Sequence, residues 1–191
     1  VTAGPPCKVC TALAQAGRHE PFLVDDLQKW LRMWRCSRCG TLWVEGNVIA
    51  SPIGEDEADA EAPGWRAEER RLTGTSAPTL LREYADGLLD DRSFAIALLH
   101  HDVLGVDTDP EDRSDLVLYS DAEAALADRR DVSELTWGSV ARRLRWASGR
   151  RRVVIDPASP WRCDPDEYVV EYLDANGRRT ETESDRRRGD A

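Results

Sequence analysis

The sequence predicts an α+β protein in two parts: a small β-hairpin module that carries cysteine pairs, then a mixed α+β C-terminal domain. Three observations carry this. Cys7/Cys10 and Cys36/Cys39 are two C-x2-C pairs separated by 25 residues, and strand-like segments flank the second pair. Residues 79–183 alternate helical and extended apolar periods. Between them, residues 51–78 are rich in Pro, Gly, Ala and Glu and poor in branched apolar side chains, a composition that buries too little to order itself. The predicted division is therefore 1–50 module, 51–78 acidic flexible linker, 79–183 domain and 184–191 disordered tail.

In chain order, Leu31–Arg35 reads as a strand entering the second cysteine pair and Thr41–Glu45 as the strand leaving it. The linker is expected to hold at most one helical turn, at Arg66–Leu72. Leu80, Leu81, Tyr84, Leu88 and Leu89 keep a helical period, and Asp90 or Asp91 can cap a second helix through Phe94, Ala97, Leu98 and His101. Val103–Val106 and Leu116–Tyr119 read as strands on either side of an acidic turn. Ser120 or Asp121 caps a short helix over AEAALADR. Val132–Leu135 reads as a strand, followed by a helix with Trp137, Val140, Ala141, Leu144 and Ala147 on one face. Val153–Ile155 is a compact strand stopped by Pro157. Tyr168–Leu173 and Arg178–Thr182 flank Asp-Ala-Asn-Gly and read as a hairpin, since Asn-Gly tolerates the positive φ of a tight turn.

Of 191 residues, 41% are hydrophobic and 32% charged, with a formal net charge of −10. The charge is uneven: residues 1–50 carry six bases and four acids, residues 51–191 carry 20 and 32. An acidic chain is repelled by phosphate and by anionic membrane surfaces. No stretch approaches the ~18 apolar residues of a membrane helix. No basic segment followed by an apolar run opens the chain, so the expected setting is a bacterial-style cytoplasm. Arginine supplies 24 of the 26 bases, a bias attributed to codon usage before any guanidinium chemistry.

Two C-x2-C pairs match the ligand spacing of a structural site with four thiolates, Cys7, Cys10, Cys36 and Cys39. Each tight turn aims two sulfurs at one ion, and backbone N–H groups can bond those sulfurs. Gly40 follows the second pair, where a positive φ is commonly needed; Thr11 stands at that place after the first. Four protein ligands leave no place for a substrate water, which argues for structure over metal catalysis. Disulfides fit an exported chain rather than a reducing cytosol, and a thioredoxin-like pair needs a βαβ context. Rubredoxin-type iron uses the same four sulfurs, whereas tetrahedral preference and ligand softness favour Zn2+. Lys8, Arg18, Arg35 and Arg38 are near in sequence and can offset the site's negative charge. Cys163 is expected to be a small buried hydrophobe or a bystander thiol.

The phrase WRCSRCGTLWVEG resembles the second knuckle of a zinc ribbon, over about residues 5–46. Zinc ribbons serve nucleic-acid, protein and purely structural roles, so the resemblance implies a metal and not a function. Trp30, Trp34 and Trp43 can stack bases, but the favoured role is covering the small core of such a module. In the larger region, FAIALLHHDVLGV, LVLYSDAEAALADR and RRVVIDPASPW resemble the SseB-type (enhanced serine sensitivity) domain, over roughly Leu80–Trp161. That resemblance implies a compact α+β domain of regulatory or interaction type with no catalytic residues to transfer. The charged block RRLRWASGRRR departs from it.

Other patterns carry less. His100 and His101 are neighbours on a helix, about 100° apart, and cannot easily share an ion. The loop from Asp107 to Glu111 departs from a calcium loop, with Pro110 at position 4, Asp112 in place of Gly and Leu118 in place of the bidentate Glu. No serine has a G-x-S-x-G setting, and there is no P-loop and no G-x-G-x-x-G. Arg142, Arg143, Arg145, Arg150, Arg151 and Arg152 are expected to pair internally with acidic segments such as 55–61 or 107–115. The reading is thus a zinc-binding, non-enzymatic cytoplasmic regulatory protein that binds a protein partner, not a nucleic acid or membrane. The alternatives are an immunity or antitoxin-like protein covering a basic partner, and a nucleic-acid-binding zinc-ribbon protein.

Overall fold

Residues 5–46, 50–105, 115–129, 132–135, 137–146 and 152–177 are described in the computed structural model. The chain divides into two units, residues 1–74 and 75–191, and each has its own four-stranded sheet. The α+β class expected from the sequence holds for both.

The first unit begins with α1 (Lys8–Gln15), then an antiparallel meander of β1 (Phe22–Asp26), β2 (Leu31–Arg35), β3 (Leu42–Glu45) and β4 (Ala50–Ile53), and closes with α2 (Glu55–Glu61) and α3 (Trp65–Gly74). Both strands expected around the second cysteine pair are present, and Trp34 lies opposite Trp43 in their register. Side chains alternate across a strand. Trp34 therefore points to the cysteine side, where it joins Cys10, Phe22, Cys36 and Trp43 in one buried cluster. Its neighbour Arg35 points the other way and lies 5.0 Å over the ring of Trp65 in α3.

Residues 51–78 do not form the expected linker. They complete β4 and hold α2, α3 and the start of the next helix. Composition misled because the apolar residues are few but well placed: Ala58, Ala62, Trp65 and Leu72 are all buried. The polar remainder is tied by ion pairs. Arg66 meets Glu55 at 2.9 Å and also Asp59, while Arg35 meets Glu69 at 2.6 Å and Glu55 at 3.5 Å. Trp65 lies between two guanidinium groups, with Arg66 4.7 Å from its ring, and donates to Asp59 at 2.9 Å.

The second unit contains α4 (Ala77–Ala85), α5 (Asp91–Leu98), β5 (Val103–Gly105), β6 (Leu116–Tyr119), α6 (Ala122–Ala127), β7 (Ser133–Leu135), α7 (Trp137–Trp146), β8 (Val153–Ile155) and α8 (Glu167–Gly177). Its sheet order is β7-β5-β6-β8, with β6 and β8 parallel and the other pairs antiparallel. The caps fall where short polar side chains stand. Asp90 accepts from the N–H of Ser93 at 2.7 Å and Asp121 from that of Ala124 at 2.8 Å. Phe94, Leu98, Val103, Leu118, Tyr119, Trp137, Val140, Ile155, Val169 and Leu173 are among its buried side chains.

The expected hairpin about Asp174–Gly177 is replaced by α8. Val169, Tyr172, Leu173 and Asn176 are buried at helical spacing, so tertiary packing overrides the Asn-Gly turn signal. Gly177 is required there for another reason: a Cβ would lie 2.9 Å from the carbonyl oxygen of Trp137. Residues 178–182, the tail 184–191 and the acidic loop 107–111 lie outside the described residues. Among the described residues, no helix is long and apolar enough to cross a membrane.

Candidate metal centre

The two cysteine pairs reach one point by different local routes. Cys36 directly follows β2 and Cys39 lies in the turn to β3. The turn closes through Gly40 N–H to the Cys36 carbonyl at 2.8 Å and Cys36 N–H to the Thr41 carbonyl at 2.9 Å. Gly40 has φ +75°, the left-handed conformation that favours glycine. Cys7 and Cys10 instead form the start of a helix. Cys7 is the N-cap of α1, and the N–H and hydroxyl of Thr11 both donate to its carbonyl, at 3.1 and 3.0 Å. A helix needs no positive φ, so the absence of glycine after the first pair is explained.

The four Sγ atoms lie within 4.8 Å of one another. Cys7–Cys10 are 3.6 Å apart, Cys7–Cys36 3.9 Å and Cys10–Cys39 3.7 Å. A tetrahedron with metal–sulfur bonds of ~2.3 Å has sulfur–sulfur edges of ~3.8 Å. The three edges fall on that value, so the group is shaped to hold a metal ion. Cys10 and Cys36 are fully buried, Cys7 and Cys39 half-buried.

The thiols differ electrostatically. Burial pushes Cys36 well up, although the N–H groups of Cys39 and Arg38 bond its sulfur and pull the other way. Burial also raises Cys10, to about 11, against a lowering contact from the Trp43 indole. Burial works against ionisation at Cys39 too, but there the Thr41 hydroxyl at 3.2 Å and backbone N–H donors win, and the thiol falls to about 6. The N–H-to-sulfur bonds expected of the knuckle are therefore present at the second pair.

Surrounding groups fix the second turn. Glu20, buried, accepts the Ser37 N–H on both carboxylate oxygens at 3.0 and 3.1 Å. Its sequence distance of 17 residues gave no signal of this role. Arg35 donates to the Gly40 carbonyl at 2.7 Å while its other face pairs with Glu69 and Glu55. Trp34 and Trp43 stack 5.4 Å apart and nearly parallel. Both are buried against the cysteines, in the covering role expected of them, whereas Trp30 is 71% exposed.

The remaining expected features gather nowhere near a second centre. The four cysteines are the one group of potential metal ligands among the described residues. His100 and His101 are both half-buried, and burial lowers the His101 pKa. Cys163 is buried, exchanges backbone hydrogen bonds with Ile155, and is raised by burial to about 12. In the arginine block, Arg142 donates to Ser139 at 3.0 Å and Arg152 lies 3.6 Å from Asp164. Arg150, Arg151 and the Arg145 side chain lie outside the described residues. No protein family, curated protein or solved structure matches the chain, so the metal centre rests on its own geometry and the SseB-type resemblance on its three short phrases alone.

Proposed function

We propose that Cys7, Cys10, Cys36 and Cys39 bind one structural Zn2+, and that the protein is a non-enzymatic cytoplasmic regulator that acts by binding another protein. The observation that carries the metal reading is the set of three sulfur–sulfur edges at tetrahedral length, with two of the sulfurs in the core. Four thiolates complete the coordination of zinc and leave no site for substrate, which favours structure over catalysis. The protein-binding reading is supported by the net charge of −10 and by exposed large apolar side chains, Leu88 and Leu126 in the second unit and Trp30 in the first. It also follows what the SseB-type resemblance implies for the larger unit.

The test is elemental analysis of protein purified without added metal, followed by cobalt substitution. One zinc per chain, and a cobalt form with thiolate charge-transfer and tetrahedral d–d absorption that is lost in Cys36→Ser, is the expected result. Stoichiometric iron would reassign the ion, and no stoichiometric metal would remove the centre. Nucleic-acid binding is the rival outcome. It predicts sub-micromolar, sequence-selective capture of oligonucleotides at about 150 mM salt, lost on Arg38→Ala.

A further inference from the structure

The four sulfurs of the metal centre are not equivalent. Cys10 and Cys36 are fully buried while Cys7 and Cys39 are half-buried, so each pair sets one cysteine at the surface and one in the core. Both surface sulfurs touch Cys10, Cys7 at 3.6 Å and Cys39 at 3.7 Å. They differ in their other contacts. Cys39 meets the Thr41 hydroxyl at 3.2 Å and takes the backbone N–H groups of Thr41 and Cys7. Among the described residues, the Cys7 sulfur contacts the other sulfurs, those of Cys10 and Cys36. Hydrogen bonds stabilise a thiolate and lower its nucleophilicity, so Cys7 is the more reactive of the two.

The backbone sets the same preference. The second turn is braced by Glu20 on the Ser37 N–H and by Arg35 on the Gly40 carbonyl. Cys7 instead stands at the N-cap of α1, with φ −79°, ψ 161° and no side-chain cap, and Cys10 follows one turn later. Positions three apart in a helix have Cα atoms ~5 Å apart, inside the ~4.4–6.8 Å window of a disulfide. Bringing the two sulfurs from 3.6 Å to the ~2.0 Å of a bond is therefore a local movement at an uncapped helix end.

We infer that Cys7 and Cys10 form a redox modification site, at which a hydroperoxide oxidises Cys7, Cys10 closes a disulfide with it, and the centre loses two of its four ligands and its ion. The Cys7 thiolate attacks one oxygen of the peroxide; the O–O bond breaks, an S–O bond forms and hydroxide leaves. The Cys10 thiolate then displaces a second hydroxide from the Cys7 sulfur as the S–S bond forms. Each thiolate gives up one electron and the peroxide gains both. Cys36 and Cys39 stay on the braced turn, placed to rebind metal once the disulfide is reduced. A transient disulfide of this kind is the form in which such bonds occur in a reducing compartment. The inference deepens the zinc reading and rests on it.

The test uses the full-length protein as purified, its zinc content measured first, with hydrogen peroxide as the oxidant and a chromogenic chelator to report released zinc. Trypsin cuts after Lys8, Arg18, Arg35 and Arg38, so the four cysteines fall in four different peptides and each bridge has its own mass. The expected result is one zinc released per peroxide consumed, with the Cys7 and Cys10 peptides joined and Cys36 and Cys39 still open to alkylation. Dithiothreitol with added zinc should restore the metal content. Cys163→Ser should behave as the parent does; release that needs Cys163 would overturn the inference. A dominant Cys10–Cys39 or Cys7–Cys36 bridge, or sulfinic acid with no bridge, would overturn it too. So would zinc that stays bound after Cys7 is oxidised, an outcome that leaves the zinc reading intact. Protein with no zinc at the outset would remove the zinc reading and this inference together.

Discussion

The two units bury their chemistry differently. The first places Cys10 and Cys36 in its core beside two tryptophans, so part of its candidate metal site is also part of its core. The second has a largely apolar interior among its described residues, with a buried polar contact in which Asp156 accepts from the Ser120 N–H at 2.8 Å and from its hydroxyl at 2.5 Å. A core organised on an ion depends on metal supply and on thiolates. A core organised on side-chain volume depends on neither. Acid should act on the two in opposite directions, through the thiolates of the first and the buried Asp156 of the second.

The largest expected effect tests that dependence. A strong chelator, or Cys36→Ser, should unfold the first unit and spare the second, because structural metal binding supplies folding energy directly. Heteronuclear NMR should lose the Trp34, Trp43 and Trp65 indole signals and keep that of Trp137. Loss of all four would mean that the units share one cooperative core.

Next in size is the polar contact of the second unit. Asp156→Ala leaves Ser120 with a buried N–H and hydroxyl unpaired and puts alanine at φ +50°. The expected cost is ~1–3 kcal/mol by urea denaturation. Burial raises the Asp156 pKa above its ordinary 3.8, with the Ser120 bonds opposing and Asp121 adding to it. The folded state thus holds the proton more tightly than the unfolded one. The resulting stabilisation is full below the ordinary carboxylate value and is lost as pH rises through the raised one. Asp156→Asn should flatten that part of the pH dependence of the second unit. Over the same descent in pH, protonation of the thiolates should release metal from the first unit.

A smaller effect is expected at Gly40→Ala. Nothing lies within 4 Å of the added Cβ, so the cost is backbone strain alone at φ +75°, about 1–2 kcal/mol. Thermal melting of the first unit reads it. A larger loss would show that the turn tolerates no adjustment once metal is bound. Smallest of all is Trp30→Gly, expected to leave the melting temperature unchanged or slightly raised, since an exposed indole at positive φ contributes little to stability.

What the sequence shows and hides follows from the range of the interactions. β2, β3, β6 and β8, the α6 helix with its Asp121 cap and the four-cysteine set are legible because each rests on a local pattern. α1 is hidden because its first turn is also the first cysteine pair. α2 and α3 are hidden because their order comes from Trp65 between Arg35 and Arg66, and from carboxylates up to 34 residues from Arg35. α8 is misread because Asn176-Gly177 carries a strong turn signal, while the packing of Gly177 on Trp137 is long-range. Glu20, which grips the cysteine turn from outside the motif, leaves no trace at the level of spacing.

Arg35 has a consequence for dissecting the chain. One guanidinium joins the Gly40 carbonyl of the cysteine turn to Glu69 in α3 and Glu55 in α2, and lies on the ring of Trp65. A fragment that stops at residue 50 keeps the four clustered cysteines and the Gly40 carbonyl but discards Glu55, Trp65 and Glu69. Such a peptide would take up metal but show looser, faster-exchanging coordination than the parent. A cut after Gly74 would carry the whole clamp with it, and proteases probing the intact chain should find residues 55–74 a poor place to start.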